Sequence, residues 1–191
     1  MGAPKYTLSQ PTQVSAISGA AFAMRRDLFV QLGGFDADFF LYMEDTDLSL
    51  RVSLAGYQCI VTPKSVVYHD YTLRFGPHKT YYQERNRYQM LLKNLSWRTL
   101  LVLSPALMVA ELLTWGFVLL REPANYRNKF RAYQWVFLNW RTLMQKRAAS
   151  QSVRRTSDSK LLGSQITKLD FAQVDSNLTG RIAESLFNPF F

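Results

Sequence analysis

The stretch "GGFDADFFLYMEDTDLSLR", from Gly33 to Arg51, holds five acidic residues, four aromatic residues and two glycines. Two of the aromatic residues, Phe39 and Phe40, stand side by side, and a Glu–Asp pair begins four positions after them. The second half of the stretch predicts a helix from about Glu44 to Ala55, with Gly56 as its end signal. The fold must therefore place an acidic helix start directly behind an aromatic loop.

The acids of this helix fall on different faces. Helical spacing puts four positions on one face, namely Asp45, Leu48, Val52 and Ala55. Three of the four are core residues, so Asp45 is the acid expected to turn inward.

Asp47 precedes Arg51 by four residues, which predicts an ion pair at the surface. Acids in a first helical turn also stabilise the helix dipole, which explains Asp47 well and Asp45 poorly. An inward carboxylate beside aromatic side chains is suited to taking a proton from a bound hydroxyl. Both interpretations stay open on composition alone.

The surrounding segments alternate between strand and helix patterns, which predicts an α/β fold. "VSAISGAAFAMRR", residues 14–26, favours a buried strand of small residues, in which Gly19 permits close approach of a ligand or another backbone. "RRDLFVQLGG" is typical of a short helix ended by glycine. "YQCIVT" and "SVVYH" predict two short strands, and a long helix is expected from about His78 to Leu95. The single cysteine, Cys59, is expected to be a buried, unreactive thiol.

The C-terminal half combines apolar and basic character. Thr99 to Leu120 is 22 residues long and carries one charge, which is enough to span a bilayer. Pro105 and Glu111 argue against a simple span, so an interfacial helix, a re-entrant helix and a core helix of a larger assembly stay open. The segment 125–147 predicts one aromatic, basic amphipathic helix at headgroup level. From residue 148 onward we expect a polar, largely flexible tail.

Charge is spread unevenly along the chain. The formal net charge is +2 over residues 1–95, +8 over residues 96–160 and −1 over the last 31 residues. The basic residues therefore lie beside the most apolar segment. This arrangement favours an anionic membrane surface as a partner and speaks against nucleic acid, whose binding domains carry a basic stripe on the folded module itself.

Five motifs in compact order carry a family resemblance. They are "SGAAFAMRR", "GGFDADFFLYMEDTDLSLR", "GY", "SVVYH" and "YYQERNRYQMLLKN". Together they resemble the C-terminal half of the catalytic domain in family 2 glycosyltransferases, especially the rhamnosyl- and galactofuranosyltransferase-like members. The resemblance is close over about residues 15–96 and looser beyond. It implies a partial GT-A fold, which is a mixed α/β sheet with helices, and inverting transfer from a nucleotide-sugar to a polysaccharide or glycolipid acceptor.

The resemblance also implies roles for individual residues. Asp45 would be the general base, and Glu44 would help to hold the acceptor hydroxyl. His69 would be a ligand of Mg²⁺ or Mn²⁺, although a histidine at a strand end is more often structural. Ser18 and Gly19 would form the floor of the pocket. Arg85 would reach the diphosphate of the donor, and its alternative is a solvated charge on a helix.

The first half of the family pattern is not found in this sequence. There is no βαβ nucleotide-binding unit and no "DxD" metal pair, because "DAD" at Asp36–Asp38 follows "GGF" as the acceptor-side motif of the family does. We therefore expect the chain to be inactive alone and to need a donor-half polypeptide as partner. The alternative is a non-catalytic remnant, or a module that docks on a membrane or a partner. The expected location is the cytoplasmic side of the bacterial plasma membrane.

Overall fold

The computed structural model describes residues 9–68 and 77–163, and within these ranges the protein is mostly helical. Nine elements follow one another: β1 (Thr12–Val14), α1 (Arg26–Gln31), α2 (Glu44–Leu54), β2 (Cys59–Val61), α3 (Pro77–Asn94), α4 (Trp97–Arg121), α5 (Tyr126–Leu138), α6 (Trp140–Ser152) and α7 (Asp158–Gly163). Short 3₁₀ turns at Ala37–Phe39 and Pro123–Asn125 precede α2 and α5. The predicted α/β class holds in this coarse form.

The sheet is smaller than the sequence predicts. β1 and β2 pair antiparallel, with Gln13 opposite Ile60. The buried strand expected over residues 14–26 is wrong beyond Val14, because side chains of α2 take the backbone groups that a neighbouring strand would need. Ile17 N–H donates to Ser49 Oγ and Gly19 N–H donates to Asp45 Oδ2. The "SVVYH" strand is also absent from the described residues 65–68, which form no regular structure.

The helix boundaries around the acidic stretch follow local signals. Helices α1, α2 and α3 lie where the sequence predicts them. Gly33 and Gly56 follow the ends of α1 and α2 with positive φ angles of 82° and 89°, a conformation that glycine adopts without steric cost. The backbone therefore turns sharply on both sides of the acidic stretch.

Two apolar clusters hold the domain together. The first joins α1, α2 and β2 through the buried residues Leu32, Val52, Ala55 and Cys59. The second joins α2, the end of α3 and α7 through Leu54, Leu95 and Leu161. Burial raises the pKa of the Cys59 thiol, which fits the unreactive cysteine that the sequence predicts. Helix α2 contributes to both clusters, and α3 packs against α2, α5 and α6.

A buried ionic network lies between α2 and α3. Asp47 is fully buried and accepts hydrogen bonds from Arg51 Nε (2.9 Å), Lys93 Nζ (2.8 Å) and Asn94 Nδ2 (2.8 Å). Arg51 also donates to the carbonyl of Gly34. The predicted surface ion pair between Asp47 and Arg51 is therefore wrong in its location, because α3 covers it with two further donors. A fully paired carboxylate of this kind can be buried.

The last helices depart from the predicted pattern in two places. The expected single amphipathic helix over 125–147 is two helices, α5 and α6, which meet at Asn139. The expected flexibility from residue 148 onward does not hold for residues 148–163. There α6 continues through Ser152, and α7 buries Leu161 against Leu54.

Helix α4 differs from the other helices in its exposure. It contains Pro105, begins at the capping residue Ser96, and is the one helix among the described residues that is long and apolar enough to cross a membrane. Only 6% of its most apolar window is buried. Its buried side contains Glu111, whose carboxylate pairs with Arg87 of α3 (2.6 Å) and Lys129 of α5 (2.8 Å). The charge that argued against a simple span therefore joins α4 to its neighbours.

Candidate functional site

A strained loop leads into α2. We use "strained loop" for residues 38–43, in which three non-glycine residues have positive φ angles: Phe40 (57°), Tyr42 (69°) and Met43 (67°). Such angles cost about 1–3 kcal/mol each and persist where the surroundings enforce them, often at functional sites. Phe39 is fully buried, whereas Phe40 is 74% exposed. The loop thus points one ring inward and the next ring outward immediately before Glu44.

Helix α3 supplies the groups that hold the strained loop. Asn86 Nδ2 lies within hydrogen-bond distance of the carbonyl oxygens of Phe39 (2.9 Å), Leu41 (2.8 Å) and Tyr42 (2.7 Å). Arg85 donates to the carbonyls of Asp38 and Phe39. Both side chains are buried, so these bonds are shielded from water. The Arg85–Asn86 pair therefore stabilises a backbone that would otherwise relax.

Asp45 lies at the start of α2 and is half-buried. Its Oδ2 accepts a hydrogen bond from Gly19 N–H (2.8 Å), and its Oδ1 accepts one from Thr46 N–H (2.7 Å). The hydroxyl of Thr46 also donates to Oδ1 (3.3 Å). Two backbone donors and this hydroxyl therefore fix the orientation of the carboxylate, while Oδ2, with one donor among the described residues, keeps a lone pair for a further hydrogen bond. On the same face, Leu48, Val52 and Ala55 are buried. The inward direction predicted for Asp45 agrees with this geometry.

Three other predicted site residues lie near Asp45. Glu44 precedes it in the sequence, Gly19 contacts it in space, and Ser18 is next to Gly19. A methyl group at Gly19 would lie 3.5 Å from the Asp45 carboxylate. Ser18 precedes Gly19, is exposed, and accepts a hydrogen bond from Ala20 N–H. Glu44 is half-buried, and its Oε2 is buried without a hydrogen-bond partner among the described residues. A buried carboxylate oxygen in this state is energetically costly and is a place for a ligand to donate a hydrogen bond.

Arg85 does not match one of the two interpretations offered by the sequence, the solvated charge on a helix. It is 6% exposed, so it is not a solvated helix charge. Its guanidinium lies over the rings of Tyr81, Tyr82 and Trp135, with centroid distances of 5.4, 4.8 and 4.8 Å. Stacking and carbonyl acceptors occupy it already. In this structure Arg85 positions the strained loop, and its predicted contact with a diphosphate stays a prediction.

The predicted metal site cannot be assembled from the part of the chain that the structure describes. His69 lies outside the described residues. Within 9–68 and 77–163, no group of three His, Cys, Asp or Glu side chains is placed to hold a metal ion. The "DAD" acids pair with lysines: Lys93 and Lys146 pair with Asp36, and Lys146 also pairs with Asp38.

Sequence reasoning missed the residues of α3 that shape this site. Asn86, Gln89 and Lys93 are buried polar residues at helical spacing, and they follow each other in "RNRYQMLLKN". The sequence signal for these residues was a stripe of polar side chains at positions i, i+3 and i+7 of the helix, with mostly apolar residues between them. Such a stripe resembles a solvated face until its partners are known. The acceptors of Asn86 and Lys93 lie more than 40 positions upstream, and Gln89 donates to Asn86 itself.

Comparisons with known proteins place the chain in a family. Residues 5–146 match the family described as glycosyl transferase family group 2. The chain is 43% identical over 56 residues to N-acetylglucosaminyl-diphospho-decaprenol L-rhamnosyltransferase of Mycobacterium tuberculosis, an alignment that covers 29% of this chain and 18% of the relative. It is 40% identical over 60 residues to Rhamnosyltransferase WbbL of Escherichia coli strain K12, covering 31% of this chain and 23% of that relative.

The matches differ in extent. The chain spans less than a quarter of the length of the curated relatives that it matches. No solved structure shows a significant match to it. The family match, in contrast, covers residues 5–146 of 191 and agrees with the rhamnosyltransferase-like resemblance of the sequence motifs. The chain belongs to the family 2 group of glycosyltransferases.

Proposed function

We propose that this chain supplies the acceptor-activating site of an inverting glycosyltransferase. The donor is a nucleotide-sugar, with rhamnose as the first candidate because both relatives are named rhamnosyltransferases. The acceptor is a saccharide or a lipid-linked saccharide. One observation carries the proposal: the Asp45 carboxylate is fixed by two backbone N–H groups at the end of a strained, clamped loop. Fixed geometry of this kind is what a general base requires.

The proposed reaction uses this carboxylate once. The acceptor hydroxyl donates a hydrogen bond to Asp45. Oε2 of Glu44, which has no hydrogen-bond partner among the described residues, takes a second hydrogen bond from the acceptor. The hydroxyl oxygen attacks the anomeric carbon from the side opposite to the leaving group, and its proton passes to Asp45. The new carbon–oxygen bond forms as the bond to the nucleoside diphosphate breaks. The electron pair leaves with the diphosphate, and the anomeric configuration is inverted.

The family resemblance further implies Mg²⁺ or Mn²⁺, which would neutralise the charge of the departing diphosphate. The described residues do not fit such an ion, because they contain no cluster of three candidate ligands. A histidine alone does not hold Mg²⁺ or Mn²⁺, which prefer several oxygen ligands. Carboxylates from beyond the described residues would have to complete a site with His69, and no step above depends on the metal.

We also propose that α4 lies against the cytoplasmic leaflet of a bacterial membrane. Its outward face carries large apolar side chains, of which Leu101 and Leu112 are 75% and 70% exposed. Residues 96–160 carry a formal net charge of +8. Apolar burial and attraction to an anionic leaflet then act together. A membrane location would bring the site close to a lipid-linked acceptor.

The test is to join this chain behind the nucleotide-binding half of a family 2 glycosyltransferase, here named the completed protein. Transfer of rhamnose from a nucleotide-activated donor to a glycolipid acceptor is then measured by mass spectrometry. We expect transfer by the completed protein and none by the 191-residue chain alone. A completed protein that binds the donor but transfers nothing to any saccharide acceptor would contradict the proposal.

A second candidate function is a non-catalytic module that docks on a membrane or on a partner. The exposure of α4 favours it, as does the short extent of the alignments. The two functions differ in one measurable respect. Vesicle binding through α4 would be unchanged by Asp45→Asn in either case, but a docking module would not support transfer in the completed protein.

A further inference from the structure

A cleft separates the first half of α3 from α5. Its volume is about 620 Å³, within the range of roughly 300–1,000 Å³ that is typical of small-ligand sites. Three aromatic side chains line it, Tyr81, Tyr82 and Trp135, together with polar side chains of α5. We call this space the α3–α5 cleft. It has no role in the base chemistry described above.

Arg85 contacts the aromatic side chains of the cleft on the side away from the cleft. Arg85 stacks on all three rings but is itself buried and does not line the cleft. The rings are half-buried, so each keeps some surface free for a ligand. Fixed aromatic surfaces with a polar rim suit the face of a pyranose ring, whose C–H groups pack on the ring while its hydroxyls stay at the edge.

The polar side of the cleft has unused hydrogen-bonding capacity. Arg131 and Gln134 are exposed, line the cleft, and form no hydrogen bond or ion pair with the rest of the described chain. Asn128 lies one turn before them and donates to Asn125 Oδ1 (3.0 Å), which leaves its own amide oxygen available. An unpaired guanidinium beside an aromatic surface favours a ligand that carries an anionic group, and phosphate is the group that arginine recognises best.

The cleft adjoins the strained loop that leads into Glu44 and Asp45. Tyr82 touches the exposed ring of Phe40, with a centroid distance of 5.3 Å, and Phe40 belongs to the strained loop that leads into Glu44. At its rim the cleft includes Leu138, which is 70% exposed and adjoins the 80% exposed Phe137. The cleft therefore runs from the loop of the candidate base to an exposed apolar surface.

We infer that the α3–α5 cleft binds the glycosyl-diphosphate headgroup of a lipid-linked acceptor. The sugar packs on Tyr81, Tyr82 and Trp135, and Arg131 pairs with the diphosphate. The lipid continues over the apolar rim toward the membrane. This inference rests on the proposed function, because it supplies the acceptor that Asp45 would activate. It assigns the acceptor to residues outside the acidic stretch.

Binding by the 191-residue chain in neutral detergent micelles tests the inference without any turnover. The probes are N-acetylglucosamine 1-phosphate and N-acetylglucosamine, because that sugar stands next to the diphosphate in the name of the mycobacterial relative. Affinity is measured by ligand-observed NMR titration. Arg131→Gln should weaken binding of the phosphorylated probe at least fivefold and leave the unphosphorylated sugar unchanged. Trp135→Leu should weaken both probes.

The controls separate a specific site from general charge and from misfolding. Arg155→Gln removes an exposed arginine that does not line the cleft, and it should leave both affinities unchanged. Arg131 is exposed and without partners in the described chain, so Arg131→Gln tests the site even where Trp135→Leu does not fold. Equal affinities in Arg131→Gln and Arg155→Gln would overturn the inference. Failure of the wild-type chain to bind, or tighter binding of uridine diphosphate at the same residues, would overturn it also.

Probe binding to the α3–α5 cleft and sugar transfer by the completed protein are separate measurements, so each can fail without the other. A completed protein that fails to transfer sugar would refute the proposed function and leave measured probe binding intact. A completed protein that is active, and whose KM for the acceptor is unchanged by Arg131→Gln, would refute the cleft and leave the role of Asp45 intact.

Discussion

The start of α2 and the surface of α4 use their side chains in opposite ways. At the start of α2, carbonyl oxygens of the strained loop are bound by Arg85 and Asn86 from α3. Along α4, large apolar side chains point outward and only 6% of the most apolar window is buried. The first region is held by contacts within the chain, whereas most of the second is exposed in the described structure.

This difference separates two kinds of function. A backbone kept at unfavourable φ angles by buried donors indicates a need for fixed geometry, as in catalysis. A helix that exposes Leu101, Leu112 and Leu120 indicates a need for a surface, because monomeric soluble proteins rarely expose large contiguous apolar patches. Substitutions at the start of α2 should therefore change chemistry or folding, and substitutions on α4 should change location.

The largest effect is expected from Asp45→Asn in the completed protein. Asparagine keeps the size of the side chain and removes its basicity, so transfer should fall by about 10³-fold, with donor affinity unchanged in an equilibrium binding assay. Asp27→Asn is the matched control, since Asp27 is an exposed acid of α1 whose one ion-pair partner within 9–68 and 77–163 is Arg25. Transfer above one tenth of the wild-type rate in Asp45→Asn would eliminate this residue as the base.

Asp47→Ala, only two positions away, should act on folding. It leaves Arg51 and Lys93 buried without their shared carboxylate, which costs about 3–5 kcal/mol. The thermal unfolding midpoint in detergent micelles should fall by roughly 10 °C, as followed by circular dichroism. The same change at Asp27 should leave the midpoint where it is. Equal midpoints for the Asp47 and Asp27 variants would contradict the buried network.

On α4, the double substitution Leu101→Glu/Leu112→Glu should weaken binding to vesicles that contain anionic lipid. Each leucine loses about 1.5–3 kcal/mol of apolar burial, and each new carboxylate is repelled by the membrane. Partitioning in a flotation assay should drop about 100-fold. The far-ultraviolet circular dichroism should not change, because both side chains are exposed. Wild-type partitioning of the double variant would show that α4 does not face lipid.

The smallest effect is a pH dependence centred on Asp36. Burial by itself would raise the pKa of Asp36, but Lys93 and Lys146 outweigh it and lower the pKa to about 2. The unfolded value is about 3.9, so the ionised side chain stabilises the fold by about 2 kcal/mol at neutral pH. This stabilisation is lost as the pH falls from about 5 toward 2.

The variant Asp36→Asn isolates that contribution. Asp158 also has a pKa lowered to about 2, with Arg154 and Ser96 among its partners opposing the effect of burial, and it adds the same dependence to both proteins. Thermal midpoints of wild type and Asp36→Asn should therefore differ at pH 7 and converge near pH 2. Parallel curves over this range would show that the lysines do not stabilise the ionised form.

How far the sequence predicts this structure depends on the distance between partners. Helices α1 and α2 were predicted because glycines that end them lie in the same segment, at Gly33 and Gly56. The burial of Asp47 was missed because Lys93 and Asn94, its partners, lie 46 and 47 positions away. The strand expected beyond Val14 failed for the same reason, since Ser49 and Asp45 take its backbone donors.

Within the candidate site, the acidic residues were predicted from the sequence. The side chains of α3 that hold the strained loop in place were not. Helical spacing and the strand pattern had singled out Asp45 and Gly19, the resemblance gave them site roles, and the structure brings them into direct contact. Asn86 was not predicted, because an asparagine within a helix gives no sign that it holds three carbonyls of a distant loop. The role of His69 stays a prediction, since it lies outside the described residues.

The ionic contacts of Glu111 also determine orientation. A helix that is apolar on most of its circumference has no preferred rotation about its axis when it meets lipid. Glu111 removes that freedom, because Arg87 and Lys129 fix the side of α4 that must face α3 and α5. In the proposed membrane-bound state, the opposite side of α4 would then enter the bilayer, and this would set the tilt and height of the domain above the membrane plane. Replacing Glu111 with leucine would thus increase the apolar surface of α4 and yet randomise how the site is presented to a lipid-linked acceptor.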